Sequence, residues 1–141
     1  MKLREEQAGK LLDLLDRLQE VHPEAPKMHR GKVSRFIKFN MDNPKVLMLV
    51  NKEVTATLVL MVHQDAFSIQ QQITDLVFYS ETTGGGFRLL KEAQKWVDGW
   101  GKGVYCSFLS TSSSRPDVDD MIERSGLIKI GTQFKFRTGE E

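Results

Sequence analysis

The sequence predicts an α+β fold, in which a mixed and mostly antiparallel sheet carries helices on both faces. Two amphipathic helical patterns come first, a run of short apolar segments follows, and strand and helix patterns then alternate. Consecutive strands pair antiparallel, whereas a strand-helix-strand unit adds a parallel strand. With 141 residues, 40% of them hydrophobic, the chain is expected to form a single domain over residues 1–141.

The N-terminal region predicts two helices. From Leu3 to Val21, leucines and a valine recur at three- and four-residue spacing, which places an apolar stripe on one helix face. Pro23 ends this pattern. A second, shorter helix is predicted over residues 32–41, and Asn43-Pro44 closes it.

The middle of the chain predicts three consecutive antiparallel strands. Two apolar, partly β-branched segments, Val46 to Val50 and Val54 to Val62, flank the turn-forming residues 51–53 and indicate a hairpin. A further strand is predicted from Ile69 to Ser80. After the glycines that follow it, helix and strand patterns alternate over residues 89–100, 104–109, 117–125, 127–130 and 132–136, with Gly126 ending the short helix.

Charge and composition favour a protein that does not bind nucleic acid or membranes. The chain has 20 Lys and Arg against 19 Asp and Glu, and no basic run forms a patch. No stretch approaches the roughly 20 apolar residues that cross a bilayer, and the charged N-terminus does not resemble a signal peptide. A cytoplasmic location is therefore expected. The single cysteine, Cys106, lies in the apolar run VYCSFL and is interpreted as a small core residue.

The stretch Glu81-Thr82-Thr83-Gly84-Gly85-Gly86-Phe87-Arg88-Leu89-Leu90 follows the third strand and opens a helix. The first turn of a helix has unpaired N–H groups that bind anions, and glycines let a phosphate approach them. Equally, three glycines permit a tight turn with close packing. The glycines alone leave both interpretations open. A nucleoside-triphosphate loop and a dinucleotide loop are excluded, because neither the GK[ST] ending nor the third spaced glycine is present.

From Leu76 to Phe136 the sequence resembles the GCN5-related N-acetyltransferases (GNAT superfamily). In that family an Arg/Gln-x-x-Gly-x-Gly/Ala turn joins the fourth strand to the third helix, and residues 81–86 match it except at the first position. The Leu89-Leu90 pair and the segment MIERSGLIKIG also match, with Leu127 in place of the family's Phe. The order of helices and strands extends the resemblance to nearly the whole chain.

The resemblance implies an acetyl-CoA cosubstrate and an amine acceptor of unknown type. The turn would hold the pyrophosphate, and the preceding strand would pair with the pantetheine arm. The acyl-CoA-binding residues that it implies are Phe78, Tyr79, Ser80, Thr83, Gly84, Gly85, Gly86, Phe87 and Arg88. Direct attack of the amine on the thioester requires no metal, and we expect no metal site.

Three departures from the family pattern bear on catalysis. Glu81 replaces the first Arg or Gln, and Ile122 stands where many members carry a general-acid tyrosine. The family's asparagine after the next strand is replaced by the polar run 110–115. Candidate catalytic residues are therefore Asp75, Tyr79 and Ser112, with His63 as a further base. Simple alternation would place Asp75, Val77 and Tyr79 on one face of the strand.

A second hypothesis follows from these departures. The chain would then be a catalytically degenerate GNAT-fold protein that serves in structure or binding. Divergent GNAT-like proteins occur in tailed phages, so a virion component, a host-cytoplasmic location and a virion assembly partner enter as alternatives. A homo-oligomer is a further expectation, since a strand edge at either end of the sheet can pair with a second chain.

Overall fold

The structure is a computed structural model that describes residues 1–23, 27–101, 103–107, 120 and 122–128. A short 3₁₀ turn, Glu5–Gln7, precedes the first helix. The elements that follow are α1 (Ala8–Val21), α2 (Arg30–Asn40), β1 (Val46–Val50), β2 (Ala56–Gln64), β3 (Gln71–Ser80), α3 (Thr83–Asp98) and β4 (Tyr105–Ser107). The two N-terminal helices, the three consecutive strands and the helix-strand unit after the glycines are confirmed.

The four strands form one mixed sheet in the order β1-β2-β3-β4. The β1–β2 and β2–β3 pairs are antiparallel, and β4 runs parallel to β3. This is the arrangement that the sequence predicts, because β1 to β3 follow one another directly while α3 separates β3 from β4. At the β1 edge, the Leu3 amide donates to the Met48 carbonyl at 2.9 Å, and Lys2 bridges to Leu49.

Helices cover both faces of the sheet. Helices α1 and α2 pack on one face, and α3 packs on the other. The core on the α1–α2 face consists of Leu3, Leu11, Leu14, Ile37, Val46, Met48, Val50, Val54 and Val59. The core on the α3 face consists of Leu47, Leu49, Ala56, Leu58, Leu60, Val62, Ile73, Phe78, Leu89, Leu90 and Ala93. The described residues also include three buried polar ones, Gln7, Thr57 and Ser125. Burial of the hydrophobic side chains supplies the main stabilisation.

A β-bulge interrupts β3 at Leu76. Val59 lies opposite Val77, whereas the next β2 residue, Leu60, lies opposite Asp75, so Leu76 is the extra residue. A bulge of this kind shifts the alternation of side chains by one position. Asp75 therefore shares the α3 face with Leu60, and Val77 shares the α1–α2 face with Val59. The prediction that Asp75, Val77 and Tyr79 lie on one face is wrong for this reason.

Several sequence-based details also differ from the structure. Val54 lies before β2 with φ of 54° and is buried, so the turn extends further than predicted. Ile69 precedes β3 and is 92% exposed. Cys106 is exposed, not a core residue. The three glycines lie inside the first turns of α3 rather than before it.

At the C-terminal end, Gly126 has φ of 108° and ends a helical segment that includes residues 122–124, as predicted. The predicted strand 132–136 and Ser112 lie outside the described residues. In the described ranges no helix combines the length and apolar character needed to cross a membrane.

Candidate ligand site at the start of helix α3

The first turn of α3 presents backbone donors without helical partners. Thr82 is the N-cap residue, with extended φ and ψ of −128° and 142°, and its side chain makes no capping hydrogen bond in the part of the chain described. The amides of Thr83, Gly84 and Gly85 therefore precede the first i→i−4 bond. No acidic residue lies in the first turn of this helix. Three N–H groups and the positive end of the helix dipole thus lie together at the N-terminus of α3.

The glycines of this turn divide by what surrounds them. A Cβ on Gly85 would lie 2.8 Å from Thr82 Oγ1, 3.3 Å from Ala56 Cβ and 3.4 Å from Asn51 Nδ2. Packing of α3 against the β1–β2 turn therefore requires Gly85. A Cβ on Gly84 would meet none of the described residues within 4 Å. Gly84 is exposed, so packing against the described residues does not explain why this position lacks a side chain.

The β1–β2 turn holds the residues that lead into α3. The Glu81 amide donates to the Thr55 carbonyl at 2.8 Å. Asn51 fixes this turn, because its Oδ1 accepts from the amides of Thr55 and Ala56 at 2.7 and 2.9 Å, and its Nδ2 donates to Thr55 Oγ1 at 2.7 Å. Inside the α3 entry, the Thr82 amide donates to Ser80 Oγ at 3.2 Å. The backbone before α3 is therefore fixed by hydrogen bonds on both sides.

Glu81 forms an ion pair with Arg17 of α1. Arg17 Nε donates to one carboxylate oxygen at 2.8 Å and Nη2 donates to the other at 3.0 Å. The Arg17 side chain is 42% exposed and that of Glu81 28%. The hydrogen bond with Glu81 raises the pKa of the Arg17 guanidinium. Arg17 therefore binds both carboxylate oxygens of Glu81, the residue that differs from the family pattern.

In the part of the chain that the structure describes, β4 pairs with the first half of β3. The parallel ladder joins residues 72–74 to residues 105–107. Beyond Thr74, β3 passes through the bulge at Leu76 and continues to Ser80. The last residues of β3 therefore lie next to the start of α3 at Thr83.

The predicted catalytic residues lie apart. Asp75 is on the α3 face of the sheet, whereas Tyr79 packs against the core of the α1–α2 face. Desolvation of the thiol raises the pKa of Cys106, although the residue as a whole is exposed. The negative charge of Asp75 raises this pKa further. His63 Nε2 lies 3.2 Å from Thr74 Oγ1 on the α1–α2 face. The structure brings Asp75 together with Cys106, not with Tyr79.

Other residues named from the sequence have the following places. Phe78 is buried in the α3-face core, and Phe87 packs partly buried against it. Arg88 is exposed and Gly86 is buried within the helix. Ile122 packs against the same core as Trp96 and Trp100, whose rings meet edge to face at 5.8 Å between centroids. In the described residues no group of three His, Cys, Asp or Glu could hold a metal ion.

Two features of the site were missed from the sequence. Arg17 lies 64 residues before Glu81, so no local spacing points to their contact. The bulge at Leu76 has no signal in the segment QQITDLVFYS, which reads as a regular strand. A cavity of about 550 Å³ lined by Lys45, His63 and Trp100 lies at the other end of β3 and is not part of this site.

Comparison with solved structures gives the fold. A protein from Agrobacterium tumefaciens str. C58 assigned as an acetyltransferase superposes with a TM-score of 0.70 at 16% identity, over 98% of both chains. A Clostridium acetobutylicum protein assigned as an acetyltransferase and solved with acetyl-CoA gives a TM-score of 0.66 at 12% identity, over 100% of this chain and 96% of that one.

An aminoglycoside acetyltransferase from a soil metagenomic sample, solved with sisomicin, gives a TM-score of 0.63 at 11% identity, over 98% of this chain and 94% of that chain. No protein-family model and no curated protein matches the sequence. The likeness is therefore structural and extends over nearly the full length of each neighbour. The chain has the GNAT-type acetyltransferase fold.

Proposed function

We propose that the protein is an acetyl-CoA-dependent N-acetyltransferase that transfers the acetyl group to an amine by direct attack. The observation that carries this proposal is the first turn of α3, where the amides of residues 83–85 lack helical partners and Gly84 opens to solvent. The turn occurs on an acetyltransferase fold, and one structural neighbour was solved with acetyl-CoA. Fold alone does not determine function, so the chemistry of the turn is needed as well.

In this proposal the amides of Thr83, Gly84 and Gly85 donate to the pyrophosphate of acetyl-CoA. Amides from Gly86 onward belong to the helix, so Phe87 and Arg88 contribute through side-chain contact and charge. The main chain of β3 at residues 78–80 hydrogen-bonds to the pantetheine arm. The thioester then lies near the bulge at Leu76, next to the ladder that joins residues 72–74 to residues 105–107.

The reaction needs a polarised carbonyl and removal of one proton. The amine nitrogen attacks the thioester carbon, the carbon–sulfur bond breaks, and the electron pair leaves with the CoA thiolate. In this proposal a backbone N–H at the bulge donates to the carbonyl oxygen, since a bulge leaves its extra residue out of the ladder. Asp75 or Tyr79 accepts the proton from the amine, and their positions on opposite faces make the two assignments separable. Ser112 is kept as a candidate for donating a proton to the thiolate.

The acceptor is proposed to be an amine, and its identity is left open between a small molecule, a peptide and a protein. One neighbour acts on aminoglycosides, which are polyamines, and this supports including them among the test substrates. The structural likeness gives no support to a phage origin. A single domain over residues 1–141 in the cytoplasm remains part of the proposal.

The test is an assay of CoA release. Acetyl-CoA is incubated with the protein and a panel of primary amines that includes an aminoglycoside. Acetylated peptides, whose amines are blocked, serve as controls. The products are identified by mass spectrometry. Amine-dependent release of CoA with an acetylated product is the expected result. If acetyl-CoA binds but no amine is acetylated, the alternative of a degenerate binding protein replaces the enzyme.

Asp75→Asn and Tyr79→Phe assign the base in the same assay. Loss of at least about 100-fold in kcat with only one of them identifies the proton acceptor, since a general base contributes about 10²–10⁴-fold. Wild-type activity in both variants contradicts a role for either side chain.

A further inference from the structure

The contact between Arg17 and Glu81 connects α1 to the entry of α3. Two guanidinium nitrogens, Nε and Nη2, donate to the two carboxylate oxygens at 2.8 and 3.0 Å. This side-on, two-point geometry is the strong form of an arginine–carboxylate pair. It joins elements 64 residues apart in the sequence.

Glu81 cannot move away from the turn easily. Its amide donates to the Thr55 carbonyl at 2.8 Å, so its main chain is fixed against the β1–β2 turn. It lies two residues before Thr83, the first residue of α3. A free carboxylate at this distance from the proposed phosphate site would repel the ligand, because both carry negative charge.

We propose that Arg17 is a positioning residue that neutralises Glu81 and holds its carboxylate toward α1, so that the first turn of α3 accepts a pyrophosphate. This inference rests on the proposed function, since it concerns the same turn. Arg17 replaces, from another element, the positive or neutral character that the family pattern has at position 81. The departure at Glu81 is then a compensated change rather than a sign of lost binding.

The charges around the pair support a local role. Asp13, one turn earlier on α1, also faces Arg17 and contributes to the pKa of its guanidinium. Asp13 and Asp16 are in turn paired with Arg30 of α2. Of the described cations, Arg17 is therefore the one that pairs with Glu81, while Arg30 pairs with the carboxylates of α1. Removal of Arg17 would leave Glu81 as a net negative charge beside the turn.

The test is a double-mutant cycle read as the Kd of acetyl-CoA by calorimetry. The proteins are wild type, Arg17→Gln, Glu81→Gln and the double variant. Arg35→Gln, an exposed change on α2 with the same loss of charge, serves as the matched control. Melting temperatures of all five establish that each is folded.

Compensation predicts that Arg17→Gln weakens binding at least about fivefold and that adding Glu81→Gln restores the wild-type Kd within about twofold. Glu81→Gln alone should tighten binding, because it leaves Arg17 with an uncompensated positive charge. Arg35→Gln should bind like wild type. If Arg17→Gln does not fold, the Glu81→Gln result alone decides, and unchanged or weaker binding contradicts the proposal.

Two results would overturn the inference while leaving the proposed function standing. One is an unchanged Kd in Arg17→Gln. The other is equal weakening by Arg17→Gln with and without Glu81→Gln, which would mean that the guanidinium contacts the ligand directly. No binding of acetyl-CoA by the wild type would instead refute the proposed function, and the inference with it.

Discussion

Replacing Gly85 by alanine is expected to destabilise the protein relative to the same change at Gly84. Both variants gain helix propensity, about 1 kcal/mol for glycine to alanine in a helix interior, so their difference isolates the contacts of the new methyl group. At Gly85 it would lie 2.8 Å from Thr82 Oγ1, which can rotate, and 3.3 Å from Ala56 Cβ, which cannot. At Gly84 it meets no atom of the described residues within 4 Å.

Overpacking of this size costs about 1–2 kcal/mol, at the lower end of the usual range because part of the contact can relax. Gly85→Ala should therefore unfold at a lower urea concentration than Gly84→Ala, with an unchanged slope. Fluorescence of Trp96 and Trp100, half-buried against the α3-face core, reports the transition. Gly9→Ala is the matched control, since Gly9 also lies in a helix and has no neighbour within 4 Å in the described part of the chain. Equal destabilisation at Gly84 and Gly85 would refute the division of the glycines into one for packing and one for the ligand.

Three further changes follow from the contacts. The rate of alkylation of Cys106, the single cysteine, should have a pH midpoint above the ordinary thiol pKa of 9.0. Asp75→Asn should lower this midpoint without restoring 9.0, because desolvation is the larger cause of the raised pKa. An unmoved midpoint would place Asp75 on the other face of the sheet. In a urea titration, Phe78→Ala should cost about 3–5 kcal/mol of unfolding free energy, because Phe78 is buried. Leu76→Ala, at the exposed bulge residue, should cost less than about 1 kcal/mol. Similar costs would contradict the burial of Phe78 and the exposure of Leu76. Asn51→Ala removes three hydrogen bonds and should lower the unfolding free energy by about 2–3 kcal/mol in the same titration. A near-neutral effect would mean that Asn51 does not fix the β1–β2 turn.

The helices and strands could be predicted because their periodicity is simple. The leucine spacing of α1 and the β-branched runs of β1 and β2 give the element type directly, and the fold class follows from their order. Boundaries were less predictable. Val54 adopts positive φ despite its β-branched side chain, since the Asn51 network and burial hold it there. Tertiary contacts that override local preference leave no local signal.

The site shows the same limit. The position of the phosphate turn could be predicted, because glycines after a strand and before a helix are a local pattern. Which glycine serves packing could not, since Gly85 meets Ala56 and Asn51 from another turn. The bulge at Leu76 and the pairing of Arg17 with Glu81 depend on register and on contact between distant elements. The bulge moves Asp75 to the face opposite Val77 and Tyr79, and the ion pair gives Glu81 a partner that no local pattern predicts.

The most direct test of the central claim is calorimetric titration of acetyl-CoA into wild type, Gly84→Leu and the control Gly9→Leu. If the first turn of α3 binds the pyrophosphate, wild type and Gly9→Leu should bind with the same Kd, and Gly84→Leu should bind at least about tenfold more weakly while keeping its melting temperature. No heat with wild type, or equal affinity in all three proteins, would contradict the claim.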